Sequence, residues 1–281
     1  MPTLLSLGHG YSAAALARLL LPLGWQVAGT TRSEAKAGAL RQAGVAPILW
    51  PGDLDGALAG ATHILISAAP DADGDPFLRA APQLLQAKPA WVGYLSTTAV
   101  YGDHQGGWVD ETTPAAPASE RGRWRLAAEA EWLATGLPVH VFRLAGIYGP
   151  GRGPFEKVRN GTARRIIKPG QVFGRIHVDD IAATLRLSIA RPDPGAIYNL
   201  TDDDPAPPED VLAEAARLLN LPVPPAIPFE EAQMTPMARS FYGESKRVRN
   251  DRIKQELGVT LRHPDYRSGL AALLADSTPG S

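Results

Sequence analysis

The chain has 281 residues, 44% hydrophobic and 20% charged, with no cysteine and a formal net charge of -1. That length and composition suit a water-soluble globular protein able to bury a core unaided, and they exclude disulfides, thiolate catalysis and cysteine-bound zinc. A balanced charge without a long run of one sign argues against a nucleic-acid partner. The apolar stretches are cut short by Gly8, Gly10, Arg18 and Pro22, so neither a leader nor a membrane span is expected, and the expected location is cytoplasmic.

Short apolar runs alternate with helix-like segments. The pattern predicts a strand over 3–7, a helix over 13–21 closed by Pro22-Leu23-Gly24, and a strand over 26–30. A helix over about 34–43, a short strand at 48–50 and a helical turn at 53–58 follow. Next come a strand at 64–67, a helix at 76–86 and a strand at 91–96. A helix over 123–134, a strand over 139–144, a helix over 178–190 and a strand over 197–200 complete the series. Strands separated by helices of this length imply parallel crossovers, so the predicted fold class is α/β, a Rossmann doubly wound parallel sheet. After Leu200 proline becomes frequent around one predicted helix, 209–219, which is poor material for a central sheet and reads as a small C-terminal substrate lobe. The expected division is 1–152 with 176–204 as the dinucleotide-binding domain, 153–175 with 205–275 as the substrate lobe, and 276–281 as a flexible tail.

The segment Gly8-His9-Gly10-Tyr11-Ser12-Ala13 follows a predicted strand and opens a predicted helix. In a dinucleotide loop the first glycine makes the tight turn and the second lets backbone approach a pyrophosphate. The third position needs a small residue, here Ala13. Free amides and the positive end of the helix then face the phosphates. The predicted second strand ends in Gly29-Thr30-Thr31-Arg32 without the acid that usually meets the ribose hydroxyls of NAD. Thr31 and Arg32 suit a 2′-phosphate instead, so NADP is expected over NAD.

Later motifs resemble the extended short-chain dehydrogenase/reductase family, the NAD-dependent epimerase/dehydratase group, along nearly the whole chain. They are Gly52-Asp53-Leu54, Ser67-Ala68-Ala69-Pro70, Leu95-Ser96-Thr97-Thr98-Ala99-Val100-Tyr101-Gly102, Arg143 to Gly151, and Ile176-His177-Val178-Asp179-Asp180. The resemblance implies that Asp53 and Leu54 meet the adenine edge, that Ser67, Ala68 and Ala69 pass along the cofactor, and that Thr97 is the catalytic Ser/Thr. It also implies that substrate lies near Tyr148 and near the segment 240–250, with Arg247 and Asn250 as candidates.

The departure from the family lies at its Tyr-x-x-x-Lys pair. Arg121 stands where the tyrosine is expected and Arg125 where the lysine is expected, similar to an atypical subgroup that carries Ser-x-Arg-Gly-Arg at this place. The pair is taken as lost from the chain. Arginine cannot trade a proton near neutral pH, so the usual relay fails, although Arg121 can clamp or polarise an oxygen and Arg125 can hold the nicotinamide ribose. Tyr101 is the remaining candidate proton donor. The expectation is an atypical NAD(P)-dependent oxidoreductase or epimerase-like enzyme of a small polar metabolite, a nucleotide sugar being one class. The alternative is a catalytically silent NADP sensor. The basic residues Arg152, Lys157, Arg159, Arg164, Arg165 and Lys168 suggest an anionic substrate, the six histidines lack metal spacing so no metal is expected, and monomer and homodimer both stay open.

Overall fold

In the computed structural model, which describes residues 1–276, β1 (Thr3–Leu7) runs through the interior with Leu4, Leu5, Ser6 and Leu7 all buried. It leads into α1 (Tyr11–Leu20), β2 (Gln26–Thr31), α2 (Glu34–Gln42) and β3 (Ala46–Leu49). The chain then crosses back through α3 (Asp55–Gly60) to β4 (His63–Ile66) and α4 (Pro76–Ala80). After β5 (Trp91–Thr97) come a two-residue β6 (Trp108–Val109), α5 (Glu120–Leu133), β7 (Val139–Leu144) and β8 (Gly146–Tyr148). The remainder comprises α6 (Phe155–Arg159), β9 (Arg165–Ile167), β10 (Arg175–His177), α7 (Val178–Ala190), β11 (Ile197–Leu200) and α8 (Pro208–Leu218). Last are β12 (Ala226–Pro228), α9 (Pro236–Ser240), β13 (Arg247–Val248), α10 (Asp251–Leu257) and α11 (Tyr266–Asp276).

Seven parallel strands form one sheet in the order β11-β7-β5-β4-β1-β2-β3. The chain winds outward from β1 in one direction and then restarts at β4 in the other. The carboxyl ends of β1 and β4 therefore flank the crevice where such sheets hold ligands. Helices cover both faces, so β5 and β7 read as unbroken buried runs rather than alternating ones. One core joins Leu16, Leu65, Phe142 and Ile181 on the α1/α7 face. Another joins Leu5, Ile66, Tyr94 and Trp132 on the α3/α5 face.

A third cluster, with Tyr148, Phe155, Val211, Ala215, Tyr266 and Leu270, forms the core of the C-terminal lobe. Tyr148 packs into the lobe, whereas Ile253, Leu257, Val259 and Leu261 pack onto the sheet. Asp276 ends α11, while the remainder of the expected tail lies outside the described residues. The expected helix over 76–86 is split, because Ala81 takes φ -137° and Pro82 brings no N–H to continue the ladder, leaving a 3-10 turn over Pro82–Gln86. Helix α5 starts earlier than expected because the Ser119 hydroxyl accepts the Gly122 N–H at 3.2 Å.

A buried ion pair ties α5 to the sheet. Arg143 on β7 donates to Glu129 on α5 at 2.8 Å, and the Ser96 hydroxyl on β5 donates to the same carboxylate. The Arg143 guanidinium lies 4.9 Å from the Tyr101 ring centre. Removing one partner strands a charge in the interior. Glu129→Gln is therefore expected to lower unfolding free energy by about 3–5 kcal/mol, read from urea denaturation.

The acidic run after β11 joins sheet to lobe. Asp203 accepts from Asn250 at 2.6 Å and Lys254 at 2.5 Å, and Asp204 pairs with Arg267 at 2.7 Å. Asp202 is different: it is buried, no side chain hydrogen-bonds its carboxylate, and burial pushes its carboxyl up to about 8 against the opposing pull of nearby Arg175. The folded protein thus holds a proton that the unfolded chain releases near pH 4, so this group's contribution to stability declines as pH rises from about 4 to about 8. Asp202→Asn is expected to stabilise the protein relative to wild type by an amount that grows across that window and then levels off, as followed by thermal melting.

Candidate cofactor and substrate site

The loop after β1 is locked in place from two sides. Gly8 N–H donates to Thr30 Oγ1 at 2.6 Å, and His9 N–H donates to the Thr30 carbonyl at 3.0 Å. Gly8 has φ +83°, and a Cβ on it would lie 2.9 Å from the Ala68 amide nitrogen. Glycine is therefore required there by the protein itself. Gly10 is different: a Cβ would meet only the Gly8 carbonyl, at 3.8 Å, so the space above it is open. Gly10 caps α1 without a side-chain hydrogen bond, and the first turn of α1 contains no acid. Ser12 and Ala13 are buried beneath. Open space above unpaired amides at the sheet's switch point fits a dinucleotide pyrophosphate. The Tyr11 hydroxyl donates to the Pro150 carbonyl at 2.9 Å, and Arg152 lies over its ring.

At the end of β2, Thr31 is buried and its hydroxyl accepts the Ser33 N–H at 3.4 Å. Arg32 is exposed, with no ion pair or hydrogen bond to any described residue. Asp53 is exposed and accepts the Asp55 N–H at 2.8 Å, whereas Leu54 is fully buried. Ser67 N–H bonds the Leu7 carbonyl, and Ala68 and Ala69 carry the chain across the mouth of the crevice.

Thr97 ends β5 half-buried, its hydroxyl accepting the Ala99 N–H at 3.2 Å. Arg121 and Arg125 lie one turn apart on α5 and share a face. Arg125 Nη1 donates to the Ala68 carbonyl at 3.1 Å, the Tyr94 hydroxyl at 3.2 Å and the Leu95 carbonyl at 2.9 Å. It thereby ties the turn after β4 to the carboxyl-terminal half of β5. Arg121 is exposed, and its Nη1 reaches Met237 Sδ on α9 at 4.0 Å. One arginine thus forms part of the floor, and the other stands at the rim facing the lobe.

Four expected site residues are placed elsewhere. Tyr101 is fully buried, its hydroxyl donates to Asn199 Oδ1 at 2.8 Å, and burial raises its pKa. It packs the core and is withdrawn as the proton donor. Tyr148 is buried in the lobe core against Gly269, with its hydroxyl toward the Asp265 carbonyl at 3.4 Å. Arg247 gives its guanidinium to the Gly106 carbonyl. Asn250 spends its amide on the Thr201 carbonyl and on Asp203. These two side chains fasten the chain rather than line a substrate site.

A Tyr-x-x-x-Lys spacing does occur, at Tyr242 and Lys246, and corrects the expectation that none exists. It does not restore the relay. The segment is a 3-10 turn followed by extended chain, so the two side chains do not share a helical face. Tyr242 packs between Phe173 and Phe229, whereas buried Lys246 donates to the Gly102 carbonyl at 2.7 Å and to Glu244 at 2.6 Å. With the Ser245 N–H on Asp103 at 2.8 Å, Lys246 clasps the lobe to the loop after β5. The spacing was visible in the sequence; the divergence of the two side chains was not.

The expected basic patch is dispersed. Arg165 bonds the Pro224 carbonyl, Lys168 the Tyr242 carbonyl, and Arg159 lies over Phe155. Arg164, with Ile166, Ile227, Glu231, Gln233 and Met234, lines an open cavity of about 490 Å³ in the lobe. The histidines are less scattered in space than in sequence: the rings of His177 and His263 lie 3.9 Å apart, beside Asp179. His177 Nδ1 already accepts the Asp179 N–H, capping α7. No helix among the described residues is long and apolar enough to cross a membrane.

No family model matches the sequence. The chain is 31% identical over 277 residues to protein YeeZ of Escherichia coli (strain K12), covering 92% of this chain and 95% of that protein. It is 61% identical to a functionally unknown conserved protein from Silicibacter pomeroyi DSS, with a TM-score of 0.93 over 99% of both chains. MoeE5, in complex with UDP-glucose and NAD, shares the fold at 23% identity, with a TM-score of 0.75 over 97% of both chains. With its open phosphate loop at the sheet's switch point and its ordered motifs, the chain belongs to the extended short-chain dehydrogenase/reductase family, the NAD-dependent epimerase/dehydratase group.

Proposed function

We propose that the protein is an NADP-dependent oxidoreductase or epimerase-like enzyme acting on a small polar metabolite, a nucleotide sugar being the leading class. The observation that carries this reading is the crevice itself. The open amide cradle at Gly10 and the free guanidinium of Arg32 lie at the sheet edge that also presents Thr97, with Arg121 standing at the rim. MoeE5, of the same fold, holds UDP-glucose and NAD, which supports the nucleotide-sugar class.

A bound nicotinamide ring supplies hydride donation and acceptance. The chain's own residues bind and orient. Gly10 and the first amides of α1 receive the pyrophosphate, Arg32 receives a 2′-phosphate, and exposed Asp53 borders the adenine, while Leu54 stays in the core. Arg125 holds the turns that frame the nicotinamide ribose. Thr97 orients a substrate oxygen, and Arg121 stabilises negative charge on it by a charge-assisted hydrogen bond. Arg121 does not deliver a proton, because its guanidinium stays charged throughout the working pH range.

The replacement of both members of the proton-relay pair by arginine favours a second reading, a catalytically silent NADP sensor. The two separate on turnover. With NADPH and a panel of carbonyl compounds and nucleotide sugars, the enzyme reading expects specific cofactor oxidation or epimerisation, and Arg121→Ala is expected to lower kcat/KM by about 10²–10³-fold. Tight cofactor binding without turnover on any member would leave the sensor reading standing. Cofactor choice is checked by calorimetry: Arg32→Ala is expected to weaken NADP by about tenfold or more while leaving NAD unchanged. Equal affinity of the wild type for both nucleotides would overturn the NADP assignment.

A further inference from the structure

Helix α9 carries its large apolar residues on the outside. No residue of α9 is buried, and Met237 is 54% and Phe241 63% exposed. The backbone stays helical through Phe241, at φ -63° and ψ -27°, so these two residues, four apart, fall on one face. The opposite face is taken up by the lobe itself. Arg239 donates to the Ala232 carbonyl at 2.8 Å and lies over the Phe229 ring, against which Tyr242 also packs. The face with Met237 and Phe241 is the one that meets α5, where Met237 Sδ lies 4.0 Å from Arg121 Nη1.

That contact joins the lobe to the rim of the crevice. Arg121 makes no ion pair with any described residue, so its charge is left for a ligand. A guanidinium beside two exposed apolar side chains suits a molecule that carries an oxygen at one end and an apolar group next to it. A second protein is a poor fit. A stable interface buries about 800 Å² on each side, and two side chains on a five-residue helix offer a small part of that.

We propose that Met237 and Phe241 form the apolar wall of the substrate site and receive an aryl or branched-alkyl group joined to the carboxylate or carbonyl held by Arg121. The inference rests on the enzyme reading above and names within it the chemical class that the lobe selects. A sugar ring, hydroxylated on every side, gains little from such a wall.

The test is calorimetric titration of the full chain with 3-phenylpropanoate, propanoate and UDP-glucose. The protein is saturated with NADP, or with NAD if the wild type does not bind NADP, and compared as wild type, Met237→Gln, Phe241→Ser and Arg121→Ala. Both lobe residues are exposed, so replacing them spares the core, and nucleotide affinity equal to wild type serves as the check of folding. The wild type is expected to bind 3-phenylpropanoate about tenfold or more tighter than propanoate. Met237→Gln and Phe241→Ser are each expected to remove about five- to tenfold of that preference without changing propanoate, whereas Arg121→Ala weakens both acids. Equal or undetectable binding of the two acids, or a preference that either lobe variant keeps in full, would overturn the proposal. If UDP-glucose alone binds and neither lobe variant alters it, the nucleotide-sugar reading survives and this inference fails. A dimer seen in sedimentation and abolished by Phe241→Ser would make the face a contact between copies and count against the wall. Binding of neither nucleotide by the folded wild type would remove the enzyme reading and this inference together.

Discussion

The bonds from Gly8 and His9 to Thr30 hold the first turn of α1 over the switch point between β1 and β4, and the crevice follows from that placement. The turn approaches Ala68 so closely that no side chain fits at Gly8, so the loops after β1 and β4 form one wall of the crevice. Arg125 continues that wall by bonding the Ala68 and Leu95 carbonyls, which connects the turn after β4 to the end of β5. The space above Gly10 is left open, and no side chain caps the first turn of α1. A preorganised donor set of this kind binds an anion without paying to rearrange.

The two arginines on α5, one turn apart, take different partners. Arg125 is bound to the framework at a site where a lysine ammonium would reach fewer acceptors, because its planar nitrogen fork can meet the Ala68 and Leu95 carbonyls and the Tyr94 hydroxyl together. Arg121 keeps its charge at the rim, next to α9 of the lobe. This arrangement suits binding and charge stabilisation and is unsuited to proton transfer. The carboxyl of Asp202, just after β11, shows the opposite balance: burial outweighs the pull of Arg175 and favours its neutral form.

The lobe is fastened to the sheet by polar contacts around a small apolar cluster of Val100, Tyr101, Val109 and Val248. Lys246 on Gly102, Ser245 on Asp103 and Arg247 on Gly106 together clasp the segment after α9 to the loop after β5. Backbone carbonyls can serve as acceptors there because that loop is irregular and leaves them unpaired. Of the residues that looked like pocket linings in sequence, Arg247 is consumed by this clasp and Asn250 by Thr201 and Asp203 after β11.

The sequence by itself determined the alternation of strand and helix, the dinucleotide loop from Gly8 to Ala13, the absent acid at the end of β2 and the arginines at 121 and 125. All of these are local: runs of apolar residues, glycine spacing and residue types at motif positions are written in neighbouring residues. Only the tertiary structure decided that Tyr101 and Tyr148 are core residues, that Tyr242 and Lys246 diverge, that His177 meets His263 and that the basic run disperses. Two- and three-residue strands such as β6, β9 and β13 carry no periodicity, and their pairing joins segments far apart in the chain. Which polar side chain faces a crevice and which is taken up by a distant carbonyl depends on those long-range pairings, which no short window of sequence contains.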